Sequence, residues 1–327
     1  REVLALRDLG VEVHVASVHA PERGLGDARV DVLAEEAIEI YGRGIGAVLA
    51  GAARECAAHP LRALAVLARA AADALGYRMP LTRRPKVLWQ CVAALALAQR
   101  ARARGIQHIH AHMAHVPTTI AMYCARQLGV GFSFTGHAMD IFRAQTLLKA
   151  KLHRASFVAC ISEWHRSFYQ ELTEVDEERL PIVRCGVDVD AFAPTGRARR
   201  ASDLRILSVG RLVPKKGFDV LIEAIAVLDG NGRGLRCTLV GDGPERARLQ
   251  ALVRNHRLED RIELTGARSN DEVRGLMGAA DVFVLATRNE GWANVILEAM
   301  ACGTPVVATD VGGNREVVAS AQLGEIV

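Results

Sequence analysis

Two glutamates eight positions apart stand in the run Arg288-Asn289-Glu290-Gly291-Trp292-Ala293-Asn294-Val295-Ile296-Leu297-Glu298. Eight residues at about 100° each turn roughly 800°, so two glutamates on one helix would point about 80° apart. They fit better as Glu290 on a loop and Glu298 on the helix that follows. Both then face a ligand held at that helix's N-terminus. The exposed N–H groups and positive dipole end of a helix start suit a diphosphate, and carboxylates suit sugar hydroxyls. The spacing therefore points to a nucleotide sugar.

A diphosphate needs cations. The loop Gly210-Arg211-Leu212-Val213-Pro214-Lys215-Lys216-Gly217 follows the apolar run Leu204–Val209 and supplies Arg211 and a lysine. It lacks the spacing of a Walker loop. Taken alone it reads as a solvated basic loop, and the downstream glutamates give it a partner. Gly241-Asp242-Gly243-Pro244 reads as a tight turn with proline at a helix start. His137, in Phe134-Thr135-Gly136-His137-Ala138-Met139-Asp140, sits beyond a strand's carboxyl end, where it can reach a sugar hydroxyl or a phosphate or serve structure alone. His108, His110 and His112 alternate on one strand face and raise a metal reading. No acidic or histidine cluster elsewhere reads as completing such a site, so strand-end residues are the simpler account. Asp188-Val189-Asp190 reads as a turn rather than a metal-holding D-x-D.

The elements that must position these residues alternate. Apolar strands at Val11–Val18, Ile106–Ala111, Gly131–Thr135, Phe157–Cys160, Leu204–Val209, Arg236–Val240, Arg261–Leu264, Asp281–Leu285 and Pro305–Ala308 are separated by helical stretches. Continuous apolar runs are the mark of parallel strands covered on both faces. The pattern is α/β and doubly wound, with ligands expected at the strands' carboxyl ends. Asp190–Ser202, with Pro194, Gly196, Arg197, Arg199 and Arg200, reads as a linker. It divides a domain over residues 1–195 from one over 196–327, facing each other across a cleft. Both chain ends read as cut, with a first strand and a closing helix missing.

Residues 41–104 differ: eleven Lys/Arg stand against two acidic residues on an Ala/Leu-rich background. Such a helical insert suits an anionic bilayer surface, or equally a solvated face. The 327 residues are half hydrophobic, with net charge +4 and 5% aromatics. That balance gives no case for nucleic acid as a partner. Seven cysteines, at 56, 91, 124, 160, 185, 237 and 302, show no C-x-x-C pair and read as buried thiols of a reducing compartment. No run suits a membrane span, which places the chain in the cytoplasm, with the inner face of the plasma membrane as a peripheral site.

Together these residues resemble glycosyltransferase family 4, retaining enzymes of the GT-B fold. The resemblance rests on the E-x7-E unit with Glu-Ala-Met-Ala-Cys-Gly-Thr-Pro-Val-Val-Ala-Thr at 298–309, the Gly210–Gly217 loop, the Gly241-Asp242-Gly243 turn, and Cys185-Gly186-Val187-Asp188, where the family usually has Asn for Cys185. The stretches 108–111, 132–142 and 161–164 resemble the exopolysaccharide, colanic-acid-type branch. The resemblance implies that Arg211 and Lys216 bind the donor diphosphate. Glu290 contacts the donor sugar and Glu298 the ribose. The backbone of Gly291, Trp292, Asn294 and Val295 meets sugar and phosphate, and His137 lies near the reacting centre. It implies a UDP- or GDP-sugar donor, a lipid-linked or glycan acceptor, and no metal or other cofactor. The family's glycine-rich loop after its first strand is absent from this sequence. A GT-B-fold epimerase or phosphorylase, a non-catalytic membrane-associated assembly subunit and, last, a metal hydrolase on the histidine strand remain the rivals.

Overall fold

The structure is a computed structural model, and it describes residues 2–21, 28–137, 145–194, 203–230, 232 and 234–327. The chain divides into two compact units. The first holds Arg1–Ala159 and Leu172–Pro181, and the second holds Cys160–Glu171 and Ile182–Val327. The units therefore depart from the boundary expected at residue 195. Cys160 pairs with Ile182 in a parallel bridge. The Glu316 carboxylate also accepts the backbone N–H of Glu163 at 2.8 Å and of Trp164 at 2.9 Å. These bonds tie the 160–171 stretch to the second unit. Of the expected linker, Gly196, Arg197, Arg199 and Arg200 lie outside the described residues, as do Ala138, Met139 and Asp140.

In the first unit, helices α1 (Glu2–Asp8), α2 (Ala28–Glu36), α3 (Ile45–Ala58), α4 (Pro60–Gly76), α5 (Arg84–Ala101), α6 (Val116–Leu128) and α7 (Leu148–Arg154) accompany strands β1 (Ala16–Ser17), β2 (Ile38–Glu39), β3 (His108–His112), β4 (Gly131–Thr135) and β5 (Phe157–Ala159). The strands form two parallel groups, β1–β2 and β3–β4–β5. The strand expected over Val11–Val18 shortens to β1, because its partner β2 offers only the register Ala16↔Ile38, Ser17↔Glu39. β3 is no continuous apolar run either. Its histidines face outward while Ala111 is buried.

The Ala-rich stretch is no appendage. α5 packs against α3, α4 and α6 and buries Cys91, Ala94, Leu95 and Ala98 among others. Both acidic residues of the 41–104 stretch lie inside. Glu55 accepts from Arg102 at 2.5 Å and from Gln127 at 2.8 Å. Asp73 takes both guanidinium nitrogens of Arg154 at 2.6 Å and the Tyr123 hydroxyl at 2.9 Å. Burial works against the Glu55 carboxylate, yet the Arg102 and Gln127 hydrogen bonds carry its pKa below the usual value. A buried charge persists only when paired in this way.

The second unit carries helix α8 (Glu163–Leu172, whose last residue falls in the first unit), then β6 (Leu204–Val209), α9 (Phe218–Gly230), β7 (Leu235–Val240), α10 (Arg246–Asn255), β8 (Ile262–Gly266), α11 (Asn270–Ala279), β9 (Val282–Leu285), α12 (Asn294–Ala301), β10 (Val306–Ala308), α13 (Asn314–Val317) and β11 (Gly324–Ile326). The six strands form one sheet in the order β11-β10-β9-β6-β7-β8, parallel throughout. Successive side chains reach opposite, covered faces. Ile206 and Leu239 join one apolar cluster; Leu207 and Val240 join the other. Burial on both faces is the reason these strands read as unbroken apolar runs. The order reverses between β6 and β9. That is the switch point at whose carboxyl edge open α/β sheets open a crevice.

Candidate active site

The loops leaving β6 and β9 flank that switch point, and the backbone locks the β9 loop to the β6 loop and to the loop that leaves β10. Gly217 has φ +65°, and a Cβ there would stand 1.8 Å from the Ala286 carbonyl oxygen. Gly312 has φ +53°, and its Cβ would stand 1.6 Å from the Glu290 carbonyl oxygen. Only glycine combines that conformation with that approach. Side chains add a clasp. Arg288 grips Asp219 through two nitrogens at 2.9 and 3.0 Å and donates to the Pro214 carbonyl at 2.7 Å. The Thr287 hydroxyl donates to the Lys215 carbonyl at 2.9 Å. The Arg288 guanidinium holds the Asp219 carboxyl down at about 2.

This clasp decides which lysine faces inward. The turn Pro214–Lys216 ends at Gly217 and sends the Lys216 ammonium to Glu290 Oε2, 2.5 Å away. Glu290 is buried at 8% exposure, and its Oε1 takes no hydrogen bond among the described residues. Glu290 sits on the loop and Glu298, half-buried, on α12. No side chain caps α12, whose first residue is the exposed Asn294. Arg211 is exposed and makes no ion pair among the described residues. The edge of the sheet thus brings Lys216 to Glu290 just ahead of an uncapped helix start, with the exposed Arg211 on the loop that leaves β6.

Other expected residues are tied elsewhere. Trp292 and Val295 pack their side chains against the core, and the Trp292 indole N–H donates to the Cys185 carbonyl at 3.0 Å. Gly291 is buried, with its carbonyl against Gly313. What these residues offer a ligand is backbone. Asp188 accepts the Ala191 N–H at 3.1 Å, as a turn residue does. None of the seven cysteines forms a disulfide; Cys56 and Cys185 are half-buried rather than buried.

His137 belongs to the first unit, just past β4. Its Nε2 lies 3.5 Å from His112 Nδ1, with the rings stacked. The histidine strand is held by hydroxyls of its neighbour. His108 Nε2 and His110 Nδ1 each lie 2.7 Å from Ser133 Oγ, and His110 Nε2 lies 3.0 Å from Thr135 Oγ1. Desolvation, then His112 alongside, holds His110 down at about 4, so its ring is neutral at neutral pH. The expectation that no acidic group joins these histidines is corrected. α1 brings Glu2 to 3.1 Å from His112, and ligand atoms of Glu2, His110 and His112 fall within 4.8 Å of one another. Both nitrogens of His110 already face hydroxyls, so an ion there would displace one of them.

Sequence reasoning missed the Arg288–Asp219 clasp. The available signal was an acidic residue in the first turn of the helix that follows Gly217. It also missed the left-handed Met113, φ 72°, at the carboxyl end of β3. The Thr118 hydroxyl donates to its carbonyl at 2.8 Å.

Two family models match the chain. One, described as Glycosyltransferase Family 4, covers residues 2–191. The other, Glycosyl transferases group 1, covers 195–327. The chain belongs to glycosyltransferase family 4. Its fold is of the GT-B type, α/β with parallel sheets in two units. Among solved structures it is similar to sucrose-phosphate synthase of Thermosynechococcus elongatus, at 25% identity and TM-score 0.64, over 76% of this chain and 67% of that one. It also shares its fold with Anabaena HepE in complex with UDP, at 23% identity and TM-score 0.63, over 72% and 68%.

Among curated proteins, this family 4 chain is 37% identical over 156 residues to a putative colanic acid biosynthesis glycosyltransferase, WcaL, of Escherichia coli. That match covers 46% of this chain and 38% of the relative. It is 28% identical over 206 residues to the gpi3 subunit of the phosphatidylinositol N-acetylglucosaminyltransferase of Schizosaccharomyces pombe, over 61% of this chain and 45% of that one. The chain thus spans less than half the length of these two relatives.

Proposed function

We propose that this chain carries the donor-binding and acceptor-side parts of a retaining glycosyltransferase. It would move a sugar from a UDP- or GDP-sugar to a lipid-linked or glycan acceptor in bacterial cell-surface polysaccharide synthesis. The Lys216–Glu290 pair beside the uncapped start of α12 carries the reading. HepE, which shares the fold, was solved with UDP, and WcaL bears a colanic-acid name.

In this reading Arg211, Lys216 and the N–H groups at the start of α12 bind the diphosphate and offset the charge it gains on leaving. The free Oε1 of Glu290 accepts a donor-sugar hydroxyl while Oε2 keeps Lys216 aimed. Glu298 takes the ribose. The bond from the anomeric carbon to the phosphate oxygen breaks as the acceptor oxygen bonds on the same face. The acceptor's proton passes to the departing phosphate oxygen. His137, on the first unit, hydrogen-bonds a sugar hydroxyl. The cations make a metal unnecessary, and the histidine strand serves structure. Calorimetry with UDP and GDP tests the reading. One nucleotide binds, Lys216→Ala weakens it at least about tenfold, and a chelator leaves the binding intact. Equal binding by a folded K216A chain would overturn it.

A further inference from the structure

α4 is built inside out. Its buried positions are Ala63, Val66, Ala70, Asp73 and Ala74, small groups and one paired acid. Its leucines point the other way: Leu61, Leu64 and Leu75 are 83%, 66% and 70% exposed. Counted at about 100° per residue, these three and the exposed Ala65, Ala68 and Ala72 fall on one stripe, which contains no hydrogen-bonding side chain. Arg62 and Arg69 lie about 100° and 80° from Leu61, on the same shoulder of that stripe. The neighbouring α3 continues the pattern, exposing Ile45 and Leu49.

Charge selects the occupant. The two acids of the 41–104 stretch, Glu55 and Asp73, are buried at 1% and 2% exposure. The exposed side chains of this stretch are therefore free of acids and include Arg69, Arg78 and Lys86; Arg54 lies on the opposite side of α3 from Ile45, in a hollow it shares with Glu35, Glu36 and Glu39. An apolar helix face with the Arg62 and Arg69 guanidinium groups on its shoulder fits the boundary of an anionic bilayer. There the leucines reach acyl chains and the long cationic stems keep their heads at the phosphates.

We propose that the outer face of α4, with that of α3, docks on an anionic lipid surface. The proposal shares with the enzymatic reading only the lipid-linked acceptor; the docking itself stands on the helices. Its test is co-sedimentation of the full chain with phosphatidylcholine vesicles made with and without phosphatidylglycerol. The native chain binds the anionic vesicles, and added salt weakens the binding. The triple variant L61S/L64S/L75S binds at least about tenfold more weakly. R69Q/R78Q/K86Q loses the preference for anionic over neutral vesicles. A chain with Leu64→Trp shows an emission blue shift on the anionic vesicles. All these positions are solvent-facing, so circular dichroism of each variant should match the native chain. Absence of vesicle binding by the native chain, or unchanged binding by the triple leucine variant, overturns the proposal. So does a lipid-free dimer that the leucine substitutions dissociate, since the face would then belong to a second copy. Nucleotide calorimetry reads the other unit, so a failure of the enzymatic reading and a failure of docking are seen separately.

Discussion

The two units use the same parallel α/β grammar to different ends. The second runs six strands in one sheet and welds the loops at its carboxyl edge backbone to backbone, at Gly217 against Ala286 and Gly312 against Glu290. The first splits its strands into two groups and builds much of its interior around the helix α5. It is secured by buried ionic networks at Glu55 and Asp73. The rigid carboxyl edge is where a polyanion can be met by fixed dipoles and cations. The helical unit spends its polar groups inward and leaves leucines outside. Precision in the one unit comes from backbone contact, and in the other from pairing charges the fold has buried.

The largest expected effect separates the units by activity. Lys216→Ala or Glu290→Ala should each lower turnover at least about 100-fold, roughly 3 kcal/mol of lost charge stabilisation, with melting nearly unchanged. Wild-type rates in the folded variants would remove the site. Next, Gly312→Ala drives a methyl group into the Glu290 carbonyl at a left-handed residue and should cost about 3 kcal/mol of stability. Denaturant unfolding measures it. In the first unit, Asp73→Asn strands the Arg154 guanidinium. That should cost about 2 kcal/mol, less than a fully buried pair because Arg154 keeps some solvent. Smallest is Gly46→Ala in α3, where a Cβ meets nothing within 4 Å. It should stabilise by about 0.5–1 kcal/mol. If Gly46→Ala costs as much as Gly312→Ala, the contrast between the units fails.

Acid sharpens the same contrast. His110 is held down to about 4, chiefly by desolvation, so the unfolded chain takes up this proton first. The His110 contribution to the first unit's stability is then full above the ordinary histidine value of 6.5 and falls as pH drops from there towards 4. Asp219 is lowered to about 2 by Arg288, so its contribution holds above 3.8 and is lost only as pH falls from there towards 2. Hydrogen exchange should show β4 losing protection at higher pH than β9. The reverse order would contradict the assignment.

Much of the second unit was legible. β6 matches its expected span, and β7, β8, β9 and β10 differ by a residue or two at their ends. Strands buried on both faces write their position as unbroken apolar runs. The split of Glu290 onto a loop and Glu298 onto a helix was legible too, because helical rotation over eight residues is a local rule. In the first unit β4 matches its expected span and β5 ends one residue early, while the other strands resisted. β3 alternates histidine with apolar residues, and Val11–Val18 pairs over only two positions, a limit its distant partner sets.

By itself, the sequence determined the alternation of strands and helices, the family, and the residue types able to meet a diphosphate and a sugar. Only the tertiary structure decided which lysine of Lys215 and Lys216 faces Glu290. It also decided that Arg288 clasps Asp219, that Glu55 and Asp73 turn inward, and that the leucines of α4 turn outward. Local periodicity follows from backbone geometry within a few residues. The contact between Lys216 and Glu290, 74 positions apart, exists because β6 and β9 lie side by side in the sheet. Which face of α4 is buried is likewise set by its packing against α3, α5 and α6. Both depend on where distant segments pack, which no short window of sequence contains.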